Sequence, residues 1–338
     1  MPPIVEWQLS EKDLVFESVE TYFSRIGEHA IFTIDPPWSS YSQRLHPMKS
    51  FLIHETDKAD LDELALKAKG IKTIAGFGGG RAIDAAKYVS LQTGAEFLSI
   101  PSIIGADAYI TPVAAIRTGG IVTYAGNKFA SKVVIDTSLI RSAPPRLNRA
   151  GVGDIYSTKI SLLDWEYARD RGHAEYDPQV AREAEKVLSQ LFASKQEIHD
   201  VTDQGIRSLV QMHLRLNALQ WPYIAKGMTW PQEGIEHVFF YSLEKVTGRT
   251  FAHGEVLGTG CVIGAYYHRS DVKRMMGELD FFGLRYRPKD YGISYDEFAS
   301  AIRNMKEITV AMGSLYEILN DRKLSEPEMK ELWLLLNS

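Results

Sequence analysis

Over about the first 145 residues, short β-branched apolar runs alternate with helical patterns, and this alternation restricts the fold more than any other feature of the chain. Residues 29–35 (HAIFTID) read as a strand and 61–70 (LDELALKAKG) as an amphipathic helix. A strand at 71–77 (IKTIAGF) and a helix at 81–94 (RAIDAAKYVSLQTG) follow, then strands at 97–102 (FLSIPS) and 132–140 (KVVIDTSLI). Strands and helices spaced in this way predict a parallel sheet with helices on both faces. Residues 111–126 break the rhythm: Gly119-Gly120 between two β-rich runs predicts a hairpin inserted in the α/β domain.

Residues 142–154 (SAPPRLNRAGVGD) are rich in turn formers and mark a domain boundary, placed between 148 and 149. Beyond it, 155–335 read as one long helical series. Within that series, 177–194 and 325–336 each begin with a capping Asp or Ser, the signature of a helix start. A chain of 338 residues has room for two such domains. A net charge of -5 provides no basic footprint for nucleic acid and no polybasic membrane patch. The single cysteine, Cys261, excludes an internal disulfide and a thiolate-cluster metal site. The N-terminus lacks the layout of a secretion signal, and no run approaches the ~18 apolar residues of a membrane span. A cytoplasmic enzyme or binding protein is expected.

Gly78, Gly79 and Gly80 close one apolar run and open a helix. Glycines there let the backbone approach a ligand closely, and the helix start directs free N–H groups and positive dipole at the same place, which suits a pyrophosphate. Neither standard phosphate motif fits: G-x-G-x-x-G would need glycine where Arg81 stands, and the Gly-Lys-Ser/Thr of the Walker pattern is absent. On spacing alone, a cradle and a plain strand–helix turn stay equally open. Asp84 and Lys87, three apart, are placed to pair on the helix surface.

Three polar residues stand in unexpected places. Asp154 starts a helix after a glycine-rich turn, His237 sits on an apolar helical face, and His253 lies in a glycine-rich apolar segment. Taken singly, they read as a helix cap and two core histidines. Taken together, they make a three-ligand set with an open fourth position, suited to a catalytic zinc or similar ion.

Four motifs carry a family resemblance over about residues 30–325: GFGGGRAIDAAKY, IPSIIGADAYITPVAAI, AGVGDIYSTKISLLDWEYA and EHVFFYSLEKVTGRTFAHGEVLGTG. In this order they resemble the metal-dependent polyol dehydrogenase superfamily, which contains iron-containing alcohol dehydrogenases, glycerol dehydrogenase, glycerol-1-phosphate dehydrogenase and dehydroquinate synthase. The glycerol-1-phosphate dehydrogenase branch is the most similar. The resemblance implies a dehydroquinate synthase-like fold: an N-terminal Rossmann-like α/β domain (1–148) that binds NAD, then an all-α metal-binding and catalytic domain (149–338). It implies that Gly78, Gly79 and Gly80 bind the pyrophosphate, that Asp84 and Lys87 hold the polar positions of that helix, and that Ser102 and Thr111 line the cofactor. Asp35, ending the first strand, is placed to take a ribose hydroxyl and repel the extra phosphate of NADP, which favours NAD while leaving NADP open. Asp154, His237 and His253 match the metal ligands, Asp107 an aspartate near the substrate hydroxyls, and Glu255 a glutamate that orients a ligand. The implied metal is zinc first, with nickel or iron as alternatives. The implied activity is oxidation of a secondary hydroxyl of a small polyol, or reduction of the matching ketone, by a homo-oligomer. Asp107 is a candidate in relaying the proton.

The departures from the branch fall on the substrate side. Where the branch carries Ser-Arg-Pro-Ala-Ser-Gly-Ser-Glu-His, this chain reads TWPQEGIEH, with Trp230 at the arginine position and Glu233 at a small one. Tyr241 replaces a common histidine. These changes remove phosphate partners and add negative charge, so Trp230, Glu233 and Tyr241 are candidate contacts for a neutral polyol, a bulkier ring or an amine. The opposed reading packs Trp230 in the core and turns Glu233 to solvent. The alternative activity is a sugar-phosphate cyclase of the dehydroquinate synthase type, whose first ligand is typically glutamate; Asp154 favours the dehydrogenase. A relative that binds nucleotide without turnover is a third reading, against which the intact Asp-His-His set speaks.

Overall fold

The computed structural model describes residues 6–118, 121–224, 226–312 and 316–338. They divide between Asn148 and Arg149 into two compact units.

The first unit is built on six parallel strands: β1 (Leu14–Val15), β2 (His29–Thr33), β3 (Lys49–Leu52), β4 (Thr73–Gly78), β5 (Glu96–Pro101) and, later in the chain, β8 (Lys132–Val134). Their order across the sheet is β1-β8-β5-β4-β2-β3. All five residues of β2 are buried, the continuous apolar pattern of a strand covered on both faces. One face carries α1 (Val19–Phe23), α2 (Pro37–Tyr41) and α5 (Thr137–Ser142), with Ala75, Phe77, Leu98 and Ile100 alternating along β4 and β5 into a cluster with Val19, Phe23 and Leu139. Two further helices are α3 (Lys58–Lys67) and α4 (Gly80–Thr93), which pack together, and α4 also lies against β4.

The expected strand at 132–140 stops at Val134. Asp136 ends it: its Oδ1 accepts from the N–H groups of Ser138 and Leu139 and so caps α5. The inserted hairpin is present as antiparallel β6 (Ala114–Thr118) and β7 (Ile121–Ala125), while its expected turn, Gly119-Gly120, lies outside the described residues. The Asp84–Lys87 pair forms at 3.1 Å, but inside the unit rather than on the surface. The segment leading into the hairpin covers it, and Lys87 Nζ also donates to the carbonyls of Ala108 and Val113, each at 2.8 Å. Burial pushes the Asp84 carboxyl upward against the pull of Lys87.

The second unit is helical: α6 (Pro145–Tyr156, beginning just before the boundary), α7 (Thr158–Asp170), α8 (Pro178–Ala193), α9 (Lys195–His199), α10 (Asp203–Ile224), α11 (Ile235–Thr247), α12 (His253–Tyr267), α13 (Val272–Phe281), α14 (Tyr295–Met312) and α15 (Glu326–Leu336). Helix α11 lies against both α12 and α14. Asp177 caps α8 and Ser325 opens α15 in a capping box with Glu328, at the starts the sequence indicates. The turn-rich stretch 142–154 is instead mostly helix. Pro145 is preset for a first helical position, and tertiary packing outweighs the ~1 kcal/mol that each helical glycine costs. Asp154 therefore sits in the last turn of α6, not at a helix start. Among the described residues no helix is long and apolar enough to cross a membrane.

Candidate metal centre and nucleotide cradle

Three helices of the second unit bring Asp154, His237 and His253 together: the last turn of α6, the first turn of α11 and the first residue of α12. One donor atom from each lies within 4.8 Å of the other two. His253 Nε2 is 3.4 Å from Asp154 Oδ1, and the rings of His237 and His253 lie 5.2 Å apart. Asp154 and His237 are buried, whereas the His253 side chain keeps 24% exposure, so the cluster opens at that member. Burial alone would raise the Asp154 carboxyl. The hydrogen bond from His253 and the charges of His253, His213 and His237 outweigh it and hold the group at about 2. At neutral pH the site thus presents an ionised carboxylate between two imidazoles. Phe240 meets the His253 ring edge-on at 4.6 Å, and Tyr241 lies 6.4 Å from that of His237.

Sequence reasoning missed His213. It is fully buried on α10, with Nε2 3.5 Å from Asp154 Oδ2, the oxygen other than the one facing His253. The available signal was a lone histidine in an apolar helix; the tertiary fold is what brings it to Asp154. Also missed was the support under His237. Its Nδ1 is 2.8 Å from Glu236 Oε1, and Asp164 Oδ2 accepts from the first N–H of α11, that of Ile235, at 2.8 Å.

In the first unit, the strand order reverses direction between β2 and β4: β2 leads outward to β3, whereas β4 leads the other way to β5. The C-terminal ends of strands at such a reversal are where open α/β sheets bind ligands. Asp35 and Gly78–Gly80 stand there. Gly78 has φ +148°, and a Cβ on it would lie 2.9 Å from Ile34 and 3.0 Å from Ala82. Gly79 occupies the N-cap of α4 and offers no capping side chain over the helix start, the kind of place that suits an anion. A Cβ on Gly80 would meet nothing nearer than Ala108 Cβ at 3.7 Å, so that residue borders open space. Ser102 follows β5 and is buried, its N–H bonded to Gly78 O at 2.9 Å. Asp35 is exposed, and its Oδ1 accepts from both the N–H and the hydroxyl of Ser39. Asp107 and Thr111 are half-buried in the turn that Lys87 anchors, with Thr111 N–H bonded to Asp107 O at 3.0 Å.

Comparison with known proteins places this architecture. Residues 42–144 match the family described as iron-containing alcohol dehydrogenase. The glycerol-1-phosphate dehydrogenase [NAD(P)+] of Sulfurisphaera tokodaii is 32% identical over 282 residues, 81% of this chain and 76% of that one. The chain belongs to the glycerol-1-phosphate dehydrogenase family. The same enzyme of Aeropyrum pernix is 29% identical over 286 residues, 83% of this chain and 79% of that one. A probable glycerol dehydrogenase from Sinorhizobium meliloti shares the fold, with a TM-score of 0.72 at 20% identity and 96% coverage of both chains.

Within this glycerol-1-phosphate dehydrogenase relative, the divergent substrate-side residues separate by burial. Trp230 is 1% exposed and stacks on Trp165 at 5.9 Å, in a cluster completed by Tyr176 and Tyr223. Its ring packs in the helical core against these aromatic neighbours. Glu233 is half-buried, and Tyr241 remains beside His237 of the candidate metal centre. Glu255, buried in the first turn of α12, lies two residues beyond His253. Burial pushes the Cys261 thiol well up, as does the Glu236 charge.

Proposed function

We propose that this chain is a metal- and NAD(P)-dependent dehydrogenase that oxidises a secondary hydroxyl of a small polyol or reduces the matching ketone. The observation that carries the reading is the convergence of Asp154, His237 and His253 from three helices. One carboxylate and two imidazoles with an opening beside them fit a divalent cation, zinc first and nickel or iron next. When bound, the cation supplies Lewis-acid polarisation of an oxygen, and the nicotinamide nucleotide takes or gives the hydride.

The chain's own residues do the rest. Asp154, His237 and His253 hold the cation, with Asp154 ionised before it arrives. Gly79, Gly80 and the first turn of α4 take the pyrophosphate, and Ser102 and Thr111 flank it. Asp35 takes a ribose hydroxyl and favours NAD. Asp107 relays the proton. Glu255 orients a ligand, and Tyr241 and Glu233 contact substrate. An aspartate first donor supports a dehydrogenase over a cyclase. A cytoplasmic homo-oligomer accompanies this reading, with light scattering the check on assembly.

The test is NADH absorbance. Zinc-loaded protein and NAD are mixed with glycerol 1-phosphate, glycerol, other diols, amino-polyols and cyclitols. NADH forms with one class and is abolished by a chelator or by D154N, a loss of about a thousandfold or more if several kcal/mol of Lewis-acid stabilisation goes. No NADH from any class, with metal and nucleotide both bound, overturns the reading.

A further inference from the structure

The metal-centre reading leaves unexplained the buried carboxylate next to one of its histidines. Glu236 precedes His237 on α11 and is fully buried. Adjacent side chains on a helix normally diverge. Here Glu236 folds back over the helix start, where its Oε1 accepts from Gly234 N–H at 2.7 Å and lies 2.8 Å from His237 Nδ1. The other oxygen, Oε2, is buried with no hydrogen-bond partner.

This arrangement favours one tautomer of His237. Oε1 already accepts from the Gly234 N–H. With Nε2 given to a cation, Nδ1 is the nitrogen that carries the hydrogen, and Glu236 Oε1, 2.8 Å away, is the acceptor beside it. A second layer fixes the helix start beneath it. Asp164 Oδ2 bonds the Ile235 N–H and Asp164 Oδ1 pairs with His268 Nε2 at 2.8 Å, while a Cβ on Gly234, between the two carboxylates, would lie 2.6 Å from Asp164 Oδ2 and 3.1 Å from Glu236 Oε2.

We infer that Glu236 is a positioning residue of the metal centre, holding His237 as the Nδ1–H tautomer with Nε2 presented to the cation. The inference rests on the metal-centre reading above. Partners of this kind raise ligand basicity and lock ring orientation, and their loss typically costs about 10–100-fold in metal affinity.

The experiment uses the full chain. Zinc affinity is measured by competition with a chromophoric chelator for the wild type, E236Q and E236L. Ring tautomers are read in the zinc-free protein by nitrogen-15 histidine NMR, with His237 assigned by its loss in H237N. The wild type binds one zinc, and its His237 is the Nδ1–H tautomer. E236Q stays within about tenfold because its amide oxygen accepts the same two N–H groups, whereas E236L weakens zinc by about 10–100-fold and loses the tautomer signature. A wild type that binds no zinc, nickel or iron sinks the metal-centre reading itself. A wild type that binds zinc but holds His237 as Nε2–H overturns the inference, even if E236L does not fold. So does a folded E236L with unchanged affinity.

Discussion

A methyl group on Gly153 would lie 1.9 Å from the carbonyl oxygen of Gly254. These two residues adjoin Asp154 and His253, so the α6 and α12 backbones come close beside the candidate ligands. Because the obstacle is backbone, it cannot rotate away. G153A is therefore expected to destabilise the protein by at least about 3 kcal/mol, the upper end of ordinary overpacking, and to weaken zinc binding in whatever fraction folds. Urea unfolding and metal content check this; a stable G153A with full zinc occupancy contradicts it.

Gly80 gives the opposite case. A Cβ there clears all protein atoms by 3.7 Å, so G80A has no steric cost to the fold. It would, however, intrude where the proposed cofactor phosphate approaches the start of α4. The expected outcome is unchanged stability with NAD affinity reduced about 10–100-fold, the equivalent of one charge-assisted hydrogen bond. Calorimetric titration with NAD decides it, and unaltered affinity would remove the cradle from this position.

Lys87 is 1% exposed and bonds Asp84 and two carbonyls. K87M fills the space but strands a buried carboxylate and two acceptors. A loss of about 3–5 kcal/mol is expected, as for other broken buried pairs, and K87M/D84N recovers part of it. Chemical denaturation of the two variants measures the coupling.

Glu317 carries the pH prediction. Burial, then the nearby charges of Asp164 and Glu236, push its carboxyl well above the ordinary 4.5. A folded-state value above the unfolded one contributes stability below about 4.5 that is lost as pH rises through the raised value. E317Q removes this dependence. It is expected to match the wild type near pH 4 and to exceed it in melting temperature near pH 8; equal melting temperatures at both pH values would refute the assignment.

Much of the first unit was legible in the sequence because its signals are local. Buried parallel strands are apolar runs, the helices between them have their own period, and β4 ends in glycines. The exceptions are equally local in cause. Asp136 competes for the backbone and turns a strand end into a helix cap, and the glycines of α6 look like a turn because the helix they approach is a hundred residues away. Asp154, His237 and His253 were visible as anomalies, and the family resemblance joined them into a set.

The chain alone thus determined the parallel sheet, the helical second half, the glycine-lined strand end and the three candidate ligand types. Tertiary structure alone decided that Asp154 and His253 meet at 3.4 Å, that Trp230 turns into the aromatic core, that Asp84 and Lys87 are buried, and that His213 and Glu236 stand beside the candidate ligands. The physical reason is range. Periodicity, caps and glycine turns act within a few residues, whereas burial and the meeting of distant side chains depend on which helices pack together: Asp154 meets His213 and His253, 59 and 99 residues further along the chain.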